Sequence, residues 1–137
     1  MFSPLCLLQD ANSKKAADLL AGSVEPLLFN GLLSLEVCNA IWLAVGRGEI
    51  DEVCARASEA RILELRRAGM LELLEPDWER VFQRSLGFGR AHTPAIKTRS
   101  FDIVHVAAAV ELGATRFWSF DKRQRFLAQE VGLRVNP

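Results

Sequence analysis

Two kinds of segment alternate along this chain, and their alternation limits its fold more than any other feature. Leu27–Phe29, Met70–Leu74, Arg116–Phe120 and Leu133–Val135 are short, mainly apolar runs, too brief for helices and therefore predicted strands. Between them lie longer segments with helical character: Lys14–Ala21, Leu32–Val45, Ile50–Ala68, a stretch capped by Asp77 that runs to about Leu86, Ser100–Leu112 and Lys122–Val131. Gly22, Gly46 with Gly48, Gly69 and Gly113 stand where helices should stop. The Gly- and Pro-containing stretch from Gly87 to Lys97 is predicted as a loop. Strands separated by helices pair in parallel through crossovers, which cover both faces of the sheet. The expectation is an α/β fold, a three-layer α/β/α sandwich with a mainly parallel sheet. At 137 residues it should form one domain over 1–137.

Composition excludes several classes. Half of the residues are hydrophobic and 25% are charged, as in an ordinary globular protein and unlike a disordered one. No uncharged apolar stretch reaches the ~18 residues of a membrane span, and no signal peptide is visible, so the expected location is the cytoplasm. Cys6, Cys38 and Cys54 have no zinc or redox spacing and are expected as buried, reduced thiols. Net charge is zero but unevenly placed: residues 1–83 carry 8 Lys/Arg against 13 Asp/Glu, and residues 84–125 carry 8 against 3. Thirteen of the 17 basic residues are Arg, which suits phosphate or carboxylate contact; a solvated surface explains such a run equally.

Three carboxylates stand out against apolar surroundings. Glu36 lies in "LLSLEVCNAIWLAV", with Asn39 one turn on; a paired structural Glu or a site residue fits there. Asp102 heads the apolar helix "IVHVAAAVEL", where the first-turn dipole and Ser100 as N-cap give it a structural role too. His105, one turn later, reads as a packing residue or a base. Asp121 follows "FWSF" and suits an N-cap for the next helix, but it also closes a strand at the sheet edge where open α/β folds bind ligands. Acids converging on one rim repel and raise each other's pKa, and a divalent cation relieves both penalties; hard oxygen ligands suit Mg²⁺ or Mn²⁺.

In their order and spacing these stretches resemble the PIN-domain nucleases. "SLEVCNAIW" looks like their second acidic motif, "RSFDIVHVAAAVELGA" like their third, of form Arg-x-x-Asp-x-x-His-x-Ala-x-Ala, and "FWSFDKRQRFLAQEVGLRVNP" like their fourth. The likeness runs from about Leu5 to Pro137 and is nearest to the VapC-type toxins of toxin–antitoxin pairs. It implies a Mg²⁺-dependent endoribonuclease, with Glu36, Asp102 and Asp121 as catalytic and metal-site acids and Ser119 as the hydroxyl at the same rim. Arg99, Arg116, Lys122 and Arg123 would hold the RNA backbone. It further implies a cognate antitoxin protein as partner, seated near Leu63 and Trp42, and leaves homodimerisation open. The alternative is a catalytically impaired PIN-like module that binds RNA or protein.

One departure bears on that alternative. PIN domains open with a central strand ending in Asp, and "FSPLCLLQDANSKKAADLLAG" resembles the segment after that acid, which puts the acid at about Met1. Either the natural start lies upstream, or Phe2–Leu8 serves as the strand and Asp10 as a substitute first acid. The first is favoured, since the helix near Lys14 then matches without a shift. A buried strand of this kind contributes on the order of 10 kcal/mol, comparable to a domain's whole stability.

Overall fold

The computed structural model describes Asp18 and residues 21–136, which divide into two compact units, one ending at Leu74 and one beginning at Glu75. Phe2–Leu8, Asp10, Cys6 and most of the helix expected at Lys14–Ala21 lie outside the described residues. Asp18 and Ala21 are helical, and the Gly22 amide donates to the Asp18 carbonyl at 3.1 Å, as a helix end at Gly22 requires.

In the first unit, strand β1 (Leu27–Phe29) leads through the N-cap Asn30 into helix α1 (Gly31–Gly46). The Asn30 side chain accepts from the Leu33 amide at 2.9 Å, satisfying one of the orphan donors of the first turn. Asp51 caps helix α2 (Glu52–Arg67) in the same way, accepting from Cys54 at 2.7 Å. Gly69, at φ +72°, turns the chain into strand β2 (Leu71–Leu73), a backbone conformation an L side chain rarely adopts. β1 and β2 pair in parallel, Leu27 opposite Leu71 and Phe29 opposite Leu73. Val37, Ile41 and Ala44 form the buried face of α1, and Val37 and Ile41 pack with Phe29 and Ala55. Full burial of a side chain such as Ile41 contributes roughly 1.5–3 kcal/mol. The opposite face is open, with Leu35 66% exposed, so α1 is buried on one side.

The second unit holds helix α3 (Trp78–Ile96), helix α4 (Ser100–Glu111), strand β3 (Arg116–Trp118), helix α5 (Lys122–Glu130) and strand β4 (Arg134–Asn136). The loop expected from Gly87 to Lys97 is instead helical to Ile96, with Pro94 inside it. Two helical glycines cost about 1 kcal/mol each and an interior proline about 3 relative to Ala, so propensity alone would end the helix. Packing reverses that preference. Phe88 and Ile96 pack against the core of Ile103, Val106, Leu127, Ala128 and Leu133, and a Cβ on Gly89 would sit 3.8 Å from Ile103 Cδ1. Glu111, buried on α4, draws Arg80 (3.2 Å) and Arg84 (3.3 Å) from α3. β3 and β4 pair in parallel, Phe117 opposite Val135.

The result is a mixed α/β chain in which small two-strand parallel sheets alternate with five helices among the described residues. The strand pairs are separate, β1 with β2 and β3 with β4. Among the described residues no helix is long and apolar enough to cross a membrane.

Candidate functional site

Asp102 enters the site because α4 begins at Ser100, which places it at the third helical position. The N-cap is Arg99 and not Ser100 as expected. A side chain at the third position reaches back to the cap's amide, and Asp102 Oδ2 accepts from Arg99 N at 3.3 Å. Arginine has no acceptor to return that bond. Its Nε donates instead to the same Oδ2 at 3.0 Å. Asp102 is 5% exposed, and a carboxylate so buried needs such a partner.

Asp121 arrives from a different segment, at the end of β3, where it caps α5. Its Oδ1 accepts from the Arg123 amide at 2.9 Å and the Gln124 amide at 3.0 Å. Its Oδ2 faces Arg99 Nη2 at 3.6 Å. One guanidinium therefore touches both acids. Partial burial pushes the Asp121 carboxyl up, but the two amide hydrogen bonds and the charge of Arg99 outweigh it and hold the pKa below the ordinary value. The expectation that clustered acids raise one another's pKa is thus reversed at Asp121, where the backbone amides of Gln124 and Arg123, and after them the charge of Arg99, favour the carboxylate.

Ser119 is 2% exposed and lies beneath this turn. Its hydroxyl donates to Gln124 Oε1 at 2.6 Å and accepts from the Asp121 amide at 3.1 Å. It is a scaffold for Asp121, with its hydrogen bonds turned inward. Gln124, 1% exposed, is not among the residues expected from the sequence, although "DKRQ" carries the signal: an amide side chain three residues after a cap. The pairing of Arg99 with its own i+3 acid is legible in "RSFD" by the same spacing logic.

The remaining site residues divide between the units. Glu36 is half-buried on α1 in the first unit, with Asn39 exposed a turn on. Asp10 lies outside the described residues. His105 is buried on α4. Arg116, Lys122 and Arg123 are exposed, the last two in the first turn of α5, where the helix dipole disfavours cations. Helix stability therefore does not account for Lys122 and Arg123. Leu63 is 48% exposed and lines a groove of ≈ 610 Å³ with Arg66, Arg67, Leu71 and Leu73. Trp42 is half-buried: its indole donates to Glu59 at 2.9 Å and Arg56 lies over its ring at 5.6 Å. Cys38 and Cys54 are free and half-buried rather than buried, and burial, with the charge of Glu59, pushes the Cys38 thiol up.

Among the described residues, no three His, Cys, Asp or Glu side chains form a group that could hold a metal ion. Two carboxylates sharing one cation are nonetheless a donor set Mg²⁺ takes, since it keeps several waters and needs only one or two protein carboxylates beside substrate phosphate. No protein-family model matches the chain, and no curated protein matches it either.

Proposed function

We propose that this chain is a Mg²⁺- or Mn²⁺-dependent endoribonuclease of PIN type, the toxin of a type II toxin–antitoxin pair acting in the cytoplasm. The observation that carries the reading is the convergence of Asp102 and Asp121, from separate segments, on one cationic group, above a buried Ser119 that fixes the second acid. Asp102 and Asp121 would hold the metal, and Glu36 is added to them on the family resemblance alone. The metal, when bound, would supply an activated water and stabilise the leaving oxygen of the phosphodiester. Arg116, Lys122 and Arg123 would bind the RNA backbone; the exposure of all three supports that role, as does the cost of Lys122 and Arg123 to the helix dipole. The three-layer α/β/α, PIN-like arrangement belongs to the same proposal; it is supported by two strand pairs that are both parallel and by strands alternating with helices. The antitoxin's proposed seat is the groove at Leu63, Arg66 and Arg67.

The test is cleavage of single-stranded RNA with Mg²⁺ or Mn²⁺ and with EDTA, beside Asp102→Asn. Metal-dependent cleavage lost in the variant supports the reading, and cleavage unaffected by the substitution would sink the site assignment. One observation favours the second reading, a PIN-like module that binds RNA or protein without cleaving: Arg99 already neutralises the acids. RNA retained equally in EDTA, with no cleavage under any metal, would decide for it.

A further inference from the structure

We infer that Arg99 is a built-in counter-cation, holding the place between Asp102 and Asp121 until a divalent metal displaces it and frees its guanidinium for the RNA phosphate. The inference rests on the metal-site reading and adds the fate of one side chain.

Three features carry it. First, the acids are oriented without the Arg99 side chain. Asp121 is fixed through Oδ1 by two backbone amides, which leaves Oδ2, the oxygen nearest Arg99, for another partner. Asp102 keeps the Arg99 backbone amide whatever the side chain does. Second, Arg99 contacts both acids and is still 65% exposed, while the Asp102 side chain is 7% exposed. The guanidinium can leave into water at little desolvation cost, whereas Asp102 cannot follow it. Third, guanidinium pairs with phosphate as it does with carboxylate, so displacement by a metal exchanges one partner for another of the same chemistry.

The full chain is titrated with Mn²⁺, followed by water-proton relaxation, beside Arg99→Gln and Asp102→Asn. Exposed ion pairs are weak, so loss of the competitor should tighten Mn²⁺ binding by roughly three- to tenfold in Arg99→Gln. Asp102→Asn should bind least. Equal affinity in the parent and Arg99→Gln, both lost with Asp102→Asn, would overturn the counter-cation role and leave the metal site standing. No binding, or binding indifferent to Asp102, removes both. If Arg99→Gln does not fold, the parent decides: Mg²⁺ should shift the Arg99 Nε–H resonance and speed its exchange with water. A resonance that stays fixed while the Asp102 amide saturates overturns the inference.

Discussion

Replacing Ser119 by Ala tests whether Asp121 is held by the scaffold beneath it. The hydroxyl donates to Gln124 Oε1 at 2.6 Å and accepts from the Asp121 amide at 3.1 Å. Each bond contributes about 1 kcal/mol net, and a buried acceptor that loses its donor adds a desolvation penalty of about 1–3 kcal/mol. Ser119 and Gln124 are both almost fully buried, so water does not replace the lost partner. Ser119→Ala should therefore cost roughly 3–5 kcal/mol, a large share of a typical domain's stability. Removing both ends of the bond is less costly than removing one. Ser119→Ala with Gln124→Leu should fall at least about 1 kcal/mol short of the sum of the single changes. Urea unfolding of the four proteins measures this cycle, with an unchanged slope as the check that the unfolding reaction is the same. Amide exchange at Asp121 reads the local effect and should quicken in Ser119→Ala. A single variant within about 0.5 kcal/mol of the parent, or additive changes, would refute the scaffold.

Three further variants have definite expected outcomes. Asp102→Asn removes charge at nearly constant shape, so metal-dependent RNA cleavage should disappear while circular dichroism stays that of the parent. The Asp121 pKa lies below its ordinary value of 3.8, so its stabilising contribution is fully present above that value and is lost as pH falls through the lower, folded one. Asp121→Asn should accordingly flatten that part of the acid limb in a stability–pH titration. Lys97 sits in the left-handed region at φ +59° at the end of α3. Lys97→Gly should raise stability by roughly 0.5–1 kcal/mol, measured as a higher urea midpoint.

Local signals in the sequence reached the elements but not their partners. β1 was legible to the residue, because Pro26 and the Asn30 cap bracket an apolar run with no helical alternative. α2 and α4 were legible from their helical character and from a left-handed glycine beyond the C-terminal end of each, although the cap of α4 was expected at Ser100 and is Arg99. Roughly the last three turns of α3, from Gly87 to Ile96, were not. Gly87, Gly89 and Pro94 all vote against a helix locally, and the contact that outvotes them, with Ile103 and its neighbours, lies in another segment. In the site, the apolar setting of Asp102 foretold its burial, and the place of Asp121 after the short run "FWSF" foretold the cap. That the Arg99 side chain would reach both acids was hidden, because an exposed arginine beside a basic run reads equally well as a phosphate contact.

The charge balance at this site decides what Arg99 means for function. Two carboxylates face one guanidinium, and each also lies at the start of a helix, α4 for Asp102 and α5 for Asp121. A helix N-terminus is equivalent to about half a positive charge, so two of them and one arginine come close to cancelling the two acids. A metal ion arriving alone would therefore enter a site that is already near neutral, and it should bind weakly. A phosphate arriving with it changes the balance. The phosphate accepts Arg99, the acids regain a net negative charge, and the metal finds both carboxylate and phosphate oxygens. Metal and RNA should then strengthen each other's binding by the same factor, because linkage between two sites is reciprocal. Mn²⁺ titration with and without a short single-stranded RNA measures that factor, and RNA binding with and without Mn²⁺ must return it. In Arg99→Gln the carboxylates are uncovered from the start, so the factor should shrink toward one. A factor near one in the parent would mean that Arg99 never leaves the acids, and that the pair serves only to hold α4 to the turn before α5.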